Sequence, residues 1–125
     1  MLIYLDTHVV VWLYAGEISK FSEQAKGQIN SNEVIISPVV RLELQYLFEI
    51  QRIINEAKLI VSDLSDRIGL KICDKGFNNI ISGALDYSWT RDPFDRIIVA
   101  NANVNHNILI TKDQNILNNY DRAIW

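Results

Sequence analysis

The sequence predicts an α/β domain with a mainly parallel sheet of four to five strands and helices on both faces. Short apolar runs rich in β-branched and aromatic residues alternate with longer segments of helical pattern, which is typical of β-α-β units. The chain has 125 residues and contains no low-complexity linker or internal repeat. We therefore expect a single domain spanning residues 1–125.

The first predicted strand, residues 2–5 (LIYL), leads directly into Asp6 and Thr7. A buried parallel strand brings the residue that follows it to the carboxyl edge of the sheet, where ligands bind in open α/β folds. The apolar run 9–14 (VVVWLY) predicts a short buried helix, with Thr7 as its cap and Gly16 just beyond its end. Asp6 is therefore expected at a ligand-binding edge.

The remaining elements continue the alternation of strands and helices. The further predicted strands are 34–37, 70–74, 108–112 and a short one within 120–125. The further predicted helices are 22–32, 39–51 after Pro38, 53–64, 78–88 and one that begins at Asp92. Residues 53–64 carry conflicting signals, with a strand at 59–61 as the alternative to a helix. In the helix 78–88, we expect Ile80, Ile81, Ala84 and Leu85 to face inward.

Several acids are predicted to lie at one rim of this sheet. Asp6 and Asp113 each follow a predicted strand. Glu43 lies about one turn into the helix after the second strand, and Asp92 and Asp95 lie at the start of another helix. Carboxylate oxygens are the ligands that Mg²⁺ and Mn²⁺ prefer, and a cation relieves the repulsion between them. The pattern predicts a site for one or two metal ions that is suited to phosphodiester hydrolysis.

Each of these acids also has a purely structural explanation. An acid directly after a strand, such as Asp6 or Asp113, is often a helix N-cap. Glu43 can be a solvated or ion-paired helix residue. Residues 92–95 (DPFD) form a helix-start signature in which capping and the helix dipole account for both acids. The convergence of the acids at one rim is what favours a metal site.

Bulk properties exclude few functions. The net charge of −3 argues weakly against a protein that coats nucleic acid, but it is compatible with a nuclease whose carboxylates hold a cation. The apolar start lacks a basic leading segment and is interrupted by Asp6 and His8, so we expect no secretion signal. No apolar run approaches the roughly 20 residues of a membrane helix. The single cysteine, Cys73, cannot support a disulfide framework, and we interpret it as a buried structural thiol. We therefore expect a protein of the reducing cytoplasm.

The chain resembles PIN-domain ribonucleases of the kind found as VapC toxins in type II toxin–antitoxin systems. The segments that carry the resemblance are LDTHVVVW, SPVVRLEL, RDPFDRIIVANA, LITKD and the tail from Tyr120 to Trp125, so it covers the whole length. The resemblance implies a three-layer α/β/α PIN-like fold and RNA cleavage that depends on Mg²⁺ or Mn²⁺. It also implies a homodimer and a cognate antitoxin partner.

The resemblance assigns roles to individual residues by their position in these segments. The residues that match the family's four acids are Asp6, Glu43, Asp95 and Asp113. Asp92 is then a helix cap or a supporting residue, and Thr7 and Thr111 are further candidates for supporting contacts. Asn101 is a departure, since the family often has Thr or Gln there, and we expect it to alter a contact near the site.

Basic, histidine and tryptophan side chains are less specific signals. Arg91, Arg96 and Lys112 flank the acids, where they can contact RNA phosphates or pair with the acids. His8 can be a base or a phosphate contact, but the favoured interpretation is a hydrogen-bonded histidine near the core. The tryptophans are widely spaced, which favours core or dimer packing over base stacking; they are Trp12, Trp89 and Trp125. Trp12 and Leu13 are also candidates for an antitoxin groove.

Two other functions compete with that of a ribonuclease toxin. One is a PIN-fold module that binds a partner without cutting, against which the intact acids argue. The other is a phosphoacceptor domain resembling a response-regulator receiver, suggested by Thr111 and Lys112. Such a domain needs an acceptor aspartate at the end of its middle strand, and Asp74 is the sole candidate. The choice of RNA substrate leaves no short signature in the protein sequence, so the sequence does not predict which RNA is cut.

Overall fold

A parallel five-stranded sheet forms the centre of the structure, a computed structural model that describes residues 1–125. The strands are β1 (Leu2–Leu5), β2 (Glu33–Ile36), β3 (Lys71–Ile72), β4 (Leu109–Ile110) and β5 (Ala123–Ile124). Their order in the sheet is β3-β2-β1-β4-β5, and every neighbouring pair is parallel. The first strand of the chain is therefore the central one.

Seven α-helices connect and cover the strands. They are α1 (Thr7–Ala15), α2 (Glu23–Ser31), α3 (Pro38–Glu49), α4 (Ala57–Ile68), α5 (Phe77–Ala84), α6 (Pro93–Asn103) and α7 (Gln114–Asn119). The chain moves toward β3 through α1 to α4 and back across the sheet through α5 and α6. Right-handed crossovers place these two sets on opposite faces, which gives the predicted three layers. None of the helices combines the length and apolar character that crossing a membrane requires.

The predicted alternation of strands and helices is confirmed, with differences at the boundaries. The segment that carried conflicting signals contains no strand, and its helix, α4, begins at Ala57 and ends at Ile68, four residues later at each end than predicted. The strands β3 and β4 have two residues each and are shorter than predicted, although Cys73 and Thr111 just beyond them each still donate a backbone hydrogen bond to the neighbouring strand. The short helix α7 and a 3-10 turn over Ile18–Lys20 were not predicted.

Two predictions about helix ends are wrong. Asp6, and not Thr7, caps α1, because the Asp6 carboxylate accepts the backbone N–H of Thr7. The helix α5 ends at Ala84, four residues early, as the chain tightens into turns in which Asp86 N–H bonds the Gly83 carbonyl. Leu85 lies just beyond that end and is 72% exposed instead of facing inward.

A buried polar cluster joins the sheet to α6. The Tyr4 hydroxyl on β1 donates to the Cys73 thiol at 3.3 Å, and Asn101 Nδ2 donates to the same sulfur at 3.2 Å. All three residues are buried, which confirms Cys73 as a buried thiol. Asn101 lies almost two helical turns beyond Asp95 on α6. The expectation that Asn101 alters a contact near the site is wrong, because its partners lie in the core.

Replacing Tyr4 with Phe tests how much this cluster stabilises the fold. The variant keeps the ring but removes a buried hydroxyl that also accepts from Asn101 at 3.4 Å. We expect a loss of about 1–2 kcal/mol in the free energy of unfolding, measured by urea denaturation. Tyr46→Phe is the control, since Tyr46 is 49% exposed, and should change stability by less than about 0.5 kcal/mol. Equal stabilities for the two variants would contradict this role.

Candidate active site

The predicted acids line one pocket of about 310 Å³. Its lining residues are Asp6, His8, Trp12, Glu43, Asp92, Asp95, Lys112 and Asp113. The strands β1 and β4 are neighbours, so the residues that follow them, Asp6 and Asp113, come to the same edge of the sheet. The helices α3 and α6 begin at that edge and bring the other acids. The structure therefore brings every predicted acid to the wall of one cavity.

Asp6 is held by hydrogen bonds to both of its carboxylate oxygens. Oδ1 accepts the Thr7 backbone N–H at 2.8 Å, and Oδ2 accepts the Thr111 hydroxyl at 2.6 Å. The Thr111 hydroxyl in turn accepts the Asp113 backbone N–H at 3.0 Å. Burial raises the pKa of Asp6, while the bonds from Thr111 and Thr7 oppose that rise. The orientation of the carboxylate is thus set by residues of both β-α junctions.

Glu43 lies in the second turn of α3 and is fixed by α1. Its Oε1 accepts the Thr7 hydroxyl at 2.5 Å. Burial raises the pKa of Glu43, the Thr7 bond lowers it, and the negative charges of Asp6 and Asp92 raise it further. Thr7 therefore donates hydrogen bonds to two acids: its backbone N–H donates to Asp6 and its hydroxyl donates to Glu43.

Asp92 and Asp95 differ in their surroundings. Asp92 is an exposed N-cap of α6, whose Oδ1 accepts the backbone N–H groups of Phe94 at 2.8 Å and Asp95 at 3.3 Å. Asp95 lies in the first turn, partly buried, and its carboxylate makes no hydrogen bond. Burial, followed by the charges of the surrounding acids Asp92, Asp6, Asp113 and Glu43, raises the pKa of Asp95 to about 8. Asp95 is the acid whose pKa is raised by the largest number of neighbouring acids.

Asp113 is an N-cap that remains available to a ligand. Its Oδ1 accepts the Ile116 backbone N–H at 3.0 Å, which begins α7, and its side chain is exposed in the pocket. The second carboxylate oxygen makes no hydrogen bond with the protein. Capping and ligand binding are therefore compatible in one side chain.

The donor set fits a divalent cation such as Mg²⁺ or Mn²⁺. Carboxylate oxygens are hard ligands, and burial together with the charges of neighbouring acids raises the pKa values of Asp6, Glu43 and Asp95, so a cation would stabilise their charged forms. No three acidic, histidine or cysteine side chains are arranged closely enough to hold a metal ion as they stand. The side chains share the pocket, but their oxygens would have to converge to coordinate an ion.

The predicted basic residues divide into two groups. Lys112 lines the pocket and forms no ion pair. Arg91 Nη1 donates to the Ser88 carbonyl at 2.8 Å, and Arg96 Nε donates to the Thr90 carbonyl at 2.9 Å. The two arginines therefore brace the turn before α6 and neither pairs with the acids nor lines the pocket.

Two residues of α1 lie in the pocket wall where core positions were expected. The interpretation of His8 as a hydrogen-bonded histidine near the core is wrong: it is exposed, lines the pocket and makes no hydrogen bond, because it lies in the first helical turn at the sheet edge. Trp12 follows one turn later, with its ring centroid 6.3 Å from that of His8. His8 and Trp12 are four residues apart on a helix that Asp6 caps, so their rings lie on one side of it. This spacing is the sequence signal that could have placed both residues in the pocket wall.

Fold and site together define an α/β domain with an acidic pocket at the carboxyl edge of a parallel sheet. The family model described as "PIN domain" matches residues 3–123, so the chain belongs to the PIN domain family. This result confirms the resemblance at the level of the family and confirms the predicted fold.

Solved structures share the same fold at low sequence identity. The structure of VapBC2 from Rickettsia felis bound to a DNA fragment from their promoter matches with a TM-score of 0.64 and 18% identity, covering 99% of this chain and 96% of that chain. VapBC-1 from nontypeable Haemophilus influenzae matches with a TM-score of 0.54 and 15% identity, covering 94% of each chain. A comparison with curated proteins finds no match.

The repulsion around Asp95 predicts a dependence of stability on pH in a buffer with a chelator. The folded-state pKa of about 8 lies above the unfolded value of about 3.9, so the folded chain holds this proton more tightly. Stability should therefore fall as pH rises from about 4 to about 8. Asp95→Asn should lose part of this slope and gain stability at pH 8, as measured by thermal unfolding in EDTA.

Asp74→Asn is the matched control for this experiment, since Asp74 is an exposed aspartate outside the pocket. It should keep the pH dependence of the wild type. If Asp95→Asn kept the full wild-type dependence of stability on pH, the assignment of that dependence to Asp95 would be wrong.

Proposed function

We propose that this protein is a metal-dependent endoribonuclease that acts as the toxin of a toxin–antitoxin pair. The observation that carries the proposal is the convergence of Asp6, Glu43, Asp95 and Asp113 on one pocket of a PIN-family fold. The PIN domain family consists generally of nucleases. Buried carboxylates with raised pKa values are costly to a fold that does not use them, which supports a functional role.

The four acids would hold one or two Mg²⁺ or Mn²⁺ ions, which activate water and polarise the scissile phosphate when bound. Thr111 and Thr7 keep the Asp6 and Glu43 carboxylates oriented toward the pocket. The carboxylate of Asp95 makes no hydrogen bond and is free to turn toward a cation. Lys112 supplies a positive charge on the wall where a phosphate would enter. Asp92 acts as a cap that adds negative charge at the rim.

Neither alternative function has comparable support. A receiver-like domain would need its acceptor aspartate on a central strand, whereas Asp74 follows β3 at one edge of the sheet and lies outside the pocket. A binding module that does not cut would not require Thr7 and Thr111 to orient the buried Asp6 and the half-buried Glu43 toward a shared cavity. The nuclease proposal accounts for both observations.

Asp6→Asn tests the catalytic proposal while preserving the shape of the side chain. We expect RNA cleavage in Mg²⁺ or Mn²⁺ to fall by at least about 100-fold, since even supporting residues of metal sites contribute 10- to 100-fold. The same loss should follow when EDTA is added to the wild type. Cleavage is measured on total RNA with sequencing of the new ends, and growth arrest is measured on expression in a bacterium.

Asp74→Asn is again the control and should cleave and arrest growth as the wild type does. If Asp6→Asn kept full cleavage and toxicity, the metal-dependent mechanism would be wrong.

We further propose a cognate antitoxin protein, a homodimer and a cytoplasmic location. Two of the solved structures that share this fold are VapBC structures, which supports the toxin assignment. Large apolar side chains are exposed on α3 and α4, including Leu42 at 62% and Leu59 at 53%. Such exposure is typical of surfaces that bind other proteins.

Co-expression with a small DNA-binding protein encoded by the neighbouring gene tests for the antitoxin partner. We expect a complex that elutes as one species in size-exclusion chromatography, in which RNA cleavage is suppressed. Multi-angle light scattering of the free toxin should give twice the 14.4 kDa of one chain. A free protein that stays at the monomer mass and binds no such partner would contradict this part of the proposal.

A further inference from the structure

We propose that His8, Trp12 and Lys112 form a nucleotide-binding subsite beside the acids, in which a base next to the cleaved phosphodiester stacks on Trp12. The inference rests on the proposed ribonuclease function and adds the residue that positions the substrate. We call these three side chains the aromatic wall. They line the pocket together with the acids.

Trp12 is the one hydrophobic residue among the eight that line the pocket. Its side chain is partly buried, and the part that remains accessible faces a cavity lined otherwise by acids, a histidine and a lysine. An indole in such a polar cavity has no apolar partner on that side. A nucleobase offers both a flat apolar face and polar edges, and therefore suits this position.

The indole of Trp12 is held by two aromatic rings that pack against it. Its centroid lies 5.7 Å from Trp125 and 6.2 Å from Phe21, both in edge arrangements, and the rings of Phe21 and Trp125 lie 5.3 Å apart. Trp125 comes from the opposite end of the chain. A platform fixed in this way loses little conformational entropy when a base stacks on it.

Two ammonium groups lie over the indole of Trp12. Lys112 Nζ is 5.9 Å from the ring centroids of both Trp12 and Trp125, and Lys20 Nζ is 5.3 Å from that of Trp12. Lys20 pairs with Glu17 at 2.7 Å, whereas Lys112 has no acidic partner. Aromatic rings combined with positive charges are typical of surfaces that bind single-stranded nucleic acid. Lys112 has no acidic partner to give up, so its ammonium can move from the rings to a phosphate when a base stacks there.

The aromatic wall is continuous with the proposed catalytic acids. His8 lines the same pocket as Asp6, and its ring centroid is 6.3 Å from that of Trp12, so the acid and the platform belong to one pocket wall. A phosphodiester placed at Asp6 would therefore have an adjoining base within reach of Trp12. This continuity favours a nucleotide over a protein segment as the occupant of the wall.

Abasic substrates provide the test. After the cleavage site is mapped by end sequencing, kcat/KM is measured on a short RNA and on versions that lack the base on either side of the cut. Trp12→Leu should lower kcat/KM on the intact RNA by about 5- to 150-fold, the range expected for one base stacked on an aromatic ring. Removing one of the two bases should lower the wild-type kcat/KM similarly, and Trp12→Leu should lose nothing further on that RNA.

Trp89→Leu is the matched control. Trp89 is also partly buried and packs on Tyr87 at 5.9 Å, but it lies outside the pocket, so its variant should cleave intact RNA like the wild type. Trp12→Phe keeps an aromatic face and should restore most of the activity that Trp12→Leu loses.

Fluorescence of the full-length protein gives a second readout if Trp12→Leu folds poorly. The double variant Asp6→Asn, Trp89→Phe does not cleave, and its tryptophan emission comes from Trp12 and Trp125. Binding of intact RNA should quench this emission, and RNA without the stacked base should quench it less. Equal quenching by both would overturn the subsite.

The outcomes separate the subsite from the proposed function. A Trp12→Leu variant that cleaves intact RNA like the wild type, while Asp6→Asn is inactive, overturns the subsite and leaves the ribonuclease intact. Equal losses for Trp12→Leu on intact and abasic RNA also overturn it, since the effect is then structural. If Trp12→Leu weakens only antitoxin binding, the wall belongs to the protein partner. A wild type inactive on every RNA overturns the proposed function and the subsite together.

Discussion

The repulsion among carboxylates gathered at one end of a parallel sheet is the constraint on which the rest of the site depends. Burial and the surrounding charges raise the pKa of Asp95 to about 8, and they raise the pKa values of Asp6 and Glu43 as well. The fold tolerates this strain because hydroxyl and backbone donors satisfy individual oxygens. Thr111 bonds Asp6, and Thr7 bonds both Asp6 and Glu43. The remaining charge is what a bound cation would balance.

Helix capping and ligand binding are combined in the same side chains. Asp6 caps α1, Asp92 caps α6 and Asp113 caps α7, and all three line the pocket. A parallel sheet makes this combination natural for Asp6 and Asp113, since each helix that directly follows a strand begins at the edge where ligands bind. An acid at that junction can satisfy a helix N-terminus with one oxygen and direct the other into the pocket, as Asp113 does.

The pocket wall unites the two ends of the chain. Trp12 on α1 rests against Trp125, which follows β5, and Lys112 after β4 lies over both rings. The sheet order places β1 beside β4 and β4 beside β5, so residues separated by more than 100 positions become neighbours. The wide spacing of the tryptophans in the sequence therefore says little about whether they share a site.

The sequence by itself determined the α/β class, the strand ends that carry Asp6 and Asp113, and the DPFD start of α6. These features follow from local rules, namely apolar runs, strand ends and capping residues. Only the tertiary structure decided that Asp6 caps α1, that His8 faces the pocket, and that the two arginines turn to backbone carbonyls. It alone brought Trp12 to Trp125 and Asn101 to Cys73. These contacts depend on strand order and on which side of a helix meets the sheet, and no local pattern specifies either.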